Sequence, residues 1–221
     1  NSGGCSDYPM AQVAGNLVAA IGRLVANNGD VGDAYGGVVV LSRDGSTLAV
    51  GVPAEASSAT GINGNGTDNS AAGSGAVYVN TRVPSSTSSW TLQAYIKASN
   101  TEAGDGFGSS IALSSDGSTL AVGAPGEDGA TPGVGSGDPV TTNNAAPDTG
   151  ALYVFTRSSG GTPTWTQQAY IKASSTGMRS FPSGPIVSLR LGASVALSGD
   201  GNILAAGANG ETNGSTPYGA V

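Results

Sequence analysis

The feature that most constrains this chain is an internal repeat. The string SRDGSTLAVGVP at residues 42–53 returns as SSDGSTLAVGAP at 114–125, and a looser copy, SGDGNILAAGAN, occupies 198–209. The aspartates of the three copies, Asp44, Asp116 and Asp200, are separated by 72 and then 84 residues. A unit that recurs at a long period is built by stacking copies of one supersecondary element. The repeat therefore predicts the architecture before any single residue predicts chemistry.

Composition excludes several classes of function. The chain has 37 glycines and only 10% charged residues, which favours turns and short strands over helices. It has no histidine and one cysteine, so Ser-His-Asp and Cys-His catalysis and histidine- or thiolate-based metal sites are excluded. A net charge of −7 with 8 basic residues argues against binding a phosphate backbone. We therefore expect a non-catalytic protein with no nucleic-acid partner.

The location of the chain is also indicated by composition. No apolar run approaches the roughly 18 residues of a membrane helix, so we expect no transmembrane segment. The acidic, lysine-poor sequence, rich in Ser, Thr, Asn and Gly, favours an extracellular or cell-surface protein. Ser2 stands three positions before Cys5, where a bacterial lipoprotein has an aliphatic residue, and we expect no lipid anchor there.

Each repeat unit has the pattern of four antiparallel strands. Alternating apolar and polar residues predict strands at 36–42, 47–52, 75–81 and 90–98, and again at 108–114, 119–124, 150–156 and 165–173. A tight two-residue turn is predicted between the first two strands of each unit, at Asp44 and Gly45, Asp116 and Gly117, and Asp200 and Gly201. Four antiparallel strands at a period near 70, without a helix, favour a propeller blade. The fold class is therefore all-β.

The repeat also divides the chain. We assign 1–17 to an N-terminal segment, 18–31 to a degenerate outer strand of a preceding blade, 32–103 to a first blade, 104–189 to a second blade with an insertion loop at 176–189, and 190–221 to an incomplete third blade. About three blades are fewer than the four to eight of a typical propeller. We expect either part of a larger propeller or closure between chains, which would make the chain self-associating.

Two motifs carry a family resemblance. The string GDGFG at 104–108, followed by VGAP at 122–125, resembles the FG-GAP repeat of integrin α-subunit propellers and of bacterial surface and secreted proteins. The resemblance weakens to GDAYG at 32–36 in the first unit and to LG at 191–192 in the third. It implies a propeller used for extracellular recognition. Calcium-binding members carry an Asp-x-Asp/Asn-x-Asp-Gly loop, whereas each copy here has one carboxylate and is expected to form a turn.

A glutamate recurs four residues after the glycine that ends the second strand of each unit. These residues are Glu55, Glu127 and Glu211. In a propeller they would form an arc on one face, and two interpretations stay open. The arc could bind calcium or sugar hydroxyls, or each carboxylate could accept backbone N–H bonds in its own loop or the next blade. We favour the structural interpretation, because repeats preserve contacts that make the fold.

The long loops at 53–74 and 125–149 are the predicted partner surface, since binding residues concentrate in loops on a rigid scaffold. Their oxygens, including those of Asp68, Asp128 and Asp148, could bind calcium irregularly or form Asx turns. Aromatic residues and lysines recur 75 residues apart, as Tyr78 and Tyr153, Trp90 and Trp165, Tyr95 and Tyr170, and Lys97 and Lys172. We expect the aromatic residues to pack between blades and the lysines to protect an exposed outer edge.

These observations favour a non-catalytic propeller module for recognition, adhesion or assembly, with a protein or glycan partner at the cell surface. One alternative is a lectin or a propeller enzyme acting on polysaccharide, supported by the glutamates and aromatic residues. Another is a structural subunit of a ring or filament in which blade edges pair between chains.

Overall fold

The computed structural model describes residues 24–82, 90–135, 144–174, 188–210, 212–213, 216–217 and 219–221. These residues form thirteen β-strands and contain no helix. The predicted all-β class is therefore confirmed. The strands form antiparallel sheets that stack as the blades of a partial propeller.

The first sheet contains four strands in the order β1-β2-β3-β4. They are β1 (Val38–Leu41), β2 (Thr47–Val52), β3 (Ala76–Thr81) and β4 (Thr91–Ile96). Each pairs antiparallel with the next, and β2 and β3 stay in register from Thr47 opposite Thr81 to Val52 opposite Ala76. The β1–β2 hairpin and the β3–β4 connection therefore lie at one end of the sheet, and the long loop between β2 and β3 lies at the other.

The second sheet repeats this order and adds one strand. It consists of β5 (Ser110–Leu113), β6 (Thr119–Ala124), β7 (Gly133–Gly135), β8 (Ala151–Arg157) and β9 (Trp165–Lys172), in the order β5-β6-β8-β9-β7. The added strand, β7, comes from the long loop and pairs along β9, with Val134 opposite Ile171. In the first sheet Ile62 makes an equivalent bridge to Ile96. Both long loops thus return along the outer edge of their blade.

The third unit begins with a hairpin of β10 (Leu191–Leu197) and β11 (Leu204–Ala208). A two-residue pair, β12 (Thr212–Asn213) and β13 (Thr216–Pro217), follows. Most of the predicted insertion loop, residues 176–187, lies outside the described residues, as do the N-terminal segment and residues 18–23 of the predicted outer strand. Residues 25–31 form turns and irregular segments, as do the matching residues 97–103 of the first unit.

The hairpin between β1 and β2 is longer than the predicted two-residue turn. Leu41 pairs with Leu48 and the amide of Ser42 donates to the carbonyl of Thr47 at 2.9 Å, so the four residues 43–46 form the connection. The amide of Gly45 donates to the carbonyl of Ser42 at 2.9 Å, and only Gly45 has the left-handed backbone, with φ 68°. A two-residue type I′ turn needs positive φ at both central residues, whereas this loop is a four-residue turn closed by a left-handed glycine.

The aspartate organises that loop. Oδ1 of Asp44 accepts bonds from the hydroxyl of Ser42 at 2.6 Å and the amide of Ser46 at 2.9 Å. These bonds lower the pKa of Asp44 to about 2. Asp116 and Asp200 accept the equivalent bonds in the next two units. The repeated aspartate is therefore a loop former in each unit.

The glycine of the Val-Gly motif lies where successive blades touch. A Cβ atom on Gly51 would lie 2.2 Å from the carbonyl oxygen of Gly108, and one on Gly123 would lie 2.1 Å from that of Gly192. Phe107, the aromatic residue of the Phe-Gly motif, is fully buried at the same junction and bridges to Gly75 of the preceding blade. The two halves of the repeat signature thus dock one blade against the next.

The core between the two sheets is apolar and continuous. Residues from the facing sides of both sheets join one buried cluster that includes Val79, Ile96, Leu120 and Phe155. Tyr78 and Tyr95 lie on the other side of the first sheet, in a smaller cluster. The strand residues alternate between these clusters because successive side chains of a strand point to opposite faces.

Candidate functional site

The repeated glutamate of the first blade lies inside the protein, at the base of its long loop. Oε2 of Glu55 is 2.7 Å from Nζ of Lys97, the residue that follows β4, and Oε1 accepts the hydroxyl of Tyr95 at 2.8 Å. Glu55 is 2% exposed and Lys97 is 0% exposed. Ser57 completes the carboxylate shell through its amide and its hydroxyl. Glu55 therefore holds its own loop against the outer strand.

The second blade repeats this arrangement. Oε2 of Glu127 pairs with Nζ of Lys172. Oε1 accepts bonds from the hydroxyl of Tyr170 at 2.8 Å and from the side-chain amide of Asn100 at 2.9 Å. Lys172 also donates to the hydroxyl of Thr149 at 2.7 Å, as Lys97 donates to Ser74 at 2.7 Å. The same lysine therefore binds the residue at the start of the long loop and the residue at its end.

We call these two sets the loop-base networks. The first consists of Asn28, Glu55, Ser74, Tyr78, Tyr95 and Lys97, and the second of Asn100, Glu127, Thr149, Tyr153, Tyr170 and Lys172. In both, an asparagine from the connection before the blade bonds the carboxylate and accepts the hydroxyl of the inner tyrosine. Each network ties together four segments that are distant in sequence.

Burial controls the electrostatics of the networks. Desolvation lowers the pKa of Lys97 and of Lys172, and the bonded glutamate opposes that shift by favouring the ammonium form. Desolvation also raises the pKa of Tyr95, Tyr170 and Tyr153, so all three phenols stay protonated at neutral pH. Each glutamate therefore has hydroxyl donors and one ammonium around it, which is the environment of a charge-paired structural carboxylate.

These surroundings do not suit a calcium ion at the glutamates. A lysine ammonium already occupies the position where a cation would stand, and tyrosine hydroxyls donate to the remaining oxygen. Calcium needs six to eight oxygen ligands, several of them carboxylates. Among the residues that the structure describes, no group of three or more acidic or other metal-binding side chains comes together to hold a metal ion.

The other proposed ligands that the structure describes make hydrogen bonds within the long loops. Asp68 lies in the second half of the first long loop. Its Oδ1 accepts the hydroxyl of Ser70 and the backbone amides of Ser58 and Ser70, the two amides at 3.1 Å each. These bonds, that of the Ser70 hydroxyl most of all, lower the pKa of Asp68. Asp128 and Asp148 are adjacent across the second loop, because the amide of Asp148 donates to Oδ1 of Asp128 at 2.7 Å. Glu211 lies outside the described residues. Irregular calcium binding in the loops stays the alternative to Asx turns that the sequence left open.

The two repeated lysines do not lie where the sequence predicted them. Lys97 and Lys172 were expected at an exposed edge, yet they are buried, because each outer strand is covered by the returning loop and its lysine points under that loop. The asparagines Asn28 and Asn100 were missed. The signal that could have found them is their spacing of 72 residues, the same as that of Glu55 and Glu127.

A buried aspartate stands beside the second network. Asp105 is 3% exposed, and its Oδ2 accepts the amide of Glu102 at 2.9 Å. Burial raises the pKa of Asp105 to about 7, and the neighbouring carboxylate of Glu127 adds to the rise. This residue is the acidic member of the GDGFG string, and it closes the turn that leads into Phe107.

Comparison with known proteins agrees with this architecture. The family model described as FG-GAP repeat matches residues 90–155. The chain contains an FG-GAP repeat. The matched FG-GAP segment includes the outer strand of the first blade and β5, β6 and most of β8 of the second, so it contains the blade junction at Phe107 as well as Glu127. No curated protein matches the chain. Within the part of the chain that the structure describes, no helix is long and apolar enough to cross a membrane.

Proposed function

We propose that this chain is a non-catalytic FG-GAP propeller module that recognises a protein or glycan partner outside the cell. The long loops between the second and third strands of each blade carry the contact. Their first half covers the outer edge of the blade. In the first loop the residues that follow, 63–69, are partly or fully exposed, and we call them its crest.

The observation that carries this proposal is the contrast between the fixed base of the first loop and its exposed crest. In the first loop, the amide of Gly75 donates to the carbonyl of Glu55 at 2.9 Å and the amide of Ala71 donates to that of Ala56 at 2.8 Å, so the base is closed by backbone bonds as well as by the ion pair. The crest residues Asn63, Asn65, Thr67 and Asn69 are exposed. A rigid base lowers the entropy cost of binding at the crest.

The same contacts support a non-catalytic role. The carboxylates that recur from blade to blade are the natural candidates for acid or base chemistry, and in both described blades they are buried and charge-paired with lysine. Tyr78, Tyr95, Tyr153 and Tyr170 are also buried, so they offer no stacking platform to a sugar. Recognition by polar loop crests suits this surface better than a propeller active site does.

The proposal is tested with loop variants that leave the bases intact. Thr67→Arg and Thr131→Arg place a bulky cation on the two loops, and Thr166→Arg makes the same change at the opposite end of the second blade, where Thr166 is also exposed. Binding to a panel of immobilised matrix proteins and polysaccharides is measured by biolayer interferometry. We expect wild type and Thr166→Arg to bind the same member of the panel and the loop variants to lose it. Release of soluble sugar from a polysaccharide in the panel would contradict the proposal.

A further inference from the structure

A cleft lined by two arginines lies at the hairpin end of the first two blades. Its volume is about 550 Å³, and its lining includes Arg82, Arg157, Gln93, Thr47, Asp116 and Ser118. The cleft lies at the end of the sheets opposite to the long loops, because Thr47 begins β2, Arg82 follows β3 and Arg157 ends β8. The proposed loop surface therefore does not include it.

Both arginines of the cleft are fixed in place by uncharged groups. The guanidinium of Arg82 lies 5.0 Å from the ring centroid of Trp90, and its Nε donates to the carbonyl of Gly45 at 2.9 Å. The guanidinium of Arg157 lies 5.7 Å from the ring centroid of Trp165. A cation held over an aromatic face keeps its full charge, because the ring attracts it without neutralising it.

Gln93 connects the two blades across the cleft. Its Oε1 accepts the indole N–H of Trp165 at 3.0 Å and lies 3.4 Å from Nη1 of Arg157, which also donates to the hydroxyl of Thr47 at 3.2 Å. Nη2 of Arg157 donates to the backbone carbonyl of Asp116 at 3.4 Å. The partners of Arg157 are therefore an amide, a hydroxyl and a carbonyl.

Neither guanidinium is neutralised by a carboxylate. Within the described residues the ion pairs are Lys97 with Glu55 and Lys172 with Glu127, so Arg82 and Arg157 take part in none. Among the lining residues that the structure describes, the one carboxylate is that of Asp116, which accepts the hydroxyls of Ser114 at 2.6 Å and Ser118 at 2.8 Å within its own hairpin loop. Two unpaired cations in one cleft are notable in a chain of net charge −7.

We propose that this cleft binds an acidic saccharide through a carboxylate or sulfate group. The planar fork of arginine matches either group with two parallel hydrogen bonds. The hydroxyls and the amide of the lining suit sugar hydroxyls, and the volume is in the range of sites for small ligands. The negative charge of the whole chain opposes a densely charged polymer and favours a saccharide with one anionic group per unit.

The experiment uses three oligosaccharides of similar length as probes: an oligogalacturonate, a sulfated galactan fragment and a neutral galactan fragment. Binding to the whole chain is measured by titration calorimetry at low and high salt. We expect one or both acidic probes to bind, the neutral one to fail, and the affinity to fall with salt, because exposed charge pairs are screened. Which acidic probe binds better distinguishes the carboxylate source from the sulfate source.

Two variants and one control locate the binding. We expect the double change Arg82→Gln and Arg157→Gln to weaken binding by about tenfold or more, since two charge-assisted bonds are lost. Gln93→Glu keeps both acceptor contacts and both tryptophan stacks but places a carboxylate beside Arg157, so it should abolish binding without unfolding the blades. Arg190→Gln removes the same charge at an exposed position outside the cleft and should bind as wild type does.

The proposal is overturned if no acidic probe binds, if Gln93→Glu binds as wild type does, or if Arg190→Gln loses as much affinity as the double variant. Inorganic sulfate that binds as tightly as the sulfated fragment would overturn the assignment to a saccharide. The loop variants Thr67→Arg and Thr131→Arg should keep the acidic saccharide. Failure of the loop proposal and failure of this one are therefore distinguishable.

Discussion

Nζ of Lys97 lies 2.7 Å from Oε2 of Glu55 although 42 residues separate them, and both side chains are excluded from solvent. The pair joins the end of the outer strand to the start of the long loop. Lys172 and Glu127 repeat the pair in the next blade. Removing one member of a buried pair leaves an uncompensated charge, which costs more than the pair itself contributes.

Lys97→Met should therefore destabilise the chain by about 3–5 kcal/mol, since it leaves Glu55 charged and buried. The measurement is urea unfolding followed by tryptophan fluorescence. The double variant Lys97→Met with Glu55→Gln should lose less than the two single variants combined, because the orphaned charge is gone. Arg43→Met, an exposed change, serves as the control. Additive losses in the double variant would contradict a coupled pair.

Asp105→Asn should change stability in a pH-dependent way. The pKa of Asp105 is raised to about 7 by burial, so its charged form is disfavoured in the folded protein. Below the ordinary pKa of about 4 the residue is neutral in both states and the substitution should be almost silent. As pH rises from about 4 to about 7 the wild type loses stability that the asparagine variant keeps, so the variant should melt higher at pH 8.

The matched control for that experiment is Asp116→Asn. Bonds from Ser114 and Ser118 lower the pKa of Asp116, so its ionised form stabilises the fold above about pH 4 and that contribution is lost on acidification. The asparagine variant should therefore melt lower than wild type at pH 8 and approach it at low pH. Parallel pH profiles for the two variants would refute the assignment of opposite shifts.

Gly123→Ala should destabilise the junction between the second and third blades. The added Cβ would lie 2.1 Å from the carbonyl oxygen of Gly192, a backbone atom that cannot rotate away. The cost of such overpacking is typically about 1–3 kcal/mol. Gly135→Ala is the control, because its Cβ would have its nearest neighbour at 3.9 Å. Equal melting temperatures for the two variants, measured by circular dichroism, would show that the blades do not touch at this glycine.

A chelator should leave the melting temperature unchanged. The glutamates are bonded to lysines, and a metal that bound only the folded state would raise its stability by mass action. The measurement is thermal unfolding with excess calcium and with a chelator. A drop in the melting temperature with chelator would contradict this prediction and support calcium binding by the loops that contain Asp68 and Asp128.

Much of the fold could be predicted from the sequence. Both copies of the second strand, β2 and β6, have the predicted bounds, and the other strands of the two blades differ by one or two residues at their ends. Local alternation and the repeat itself carry that information. The added strand β7 was not predictable, because Gly133–Gly135 has one apolar residue and no alternation. It forms a strand only because the outer edge of β9 is available for pairing.

The candidate site, like the fold, could be predicted from the sequence only in part. The sequence by itself determined that a glutamate, two tyrosines and a lysine recur with the blades, and that the aspartates of the repeated string form turns. Only the tertiary structure decided that the lysine lies under the loop and neutralises the glutamate, and that two tryptophans hold unpaired arginines at the opposite end. The physical reason is that periodicity reports which face of a strand a residue occupies, whereas a charge partner depends on how distant segments fold back over that face.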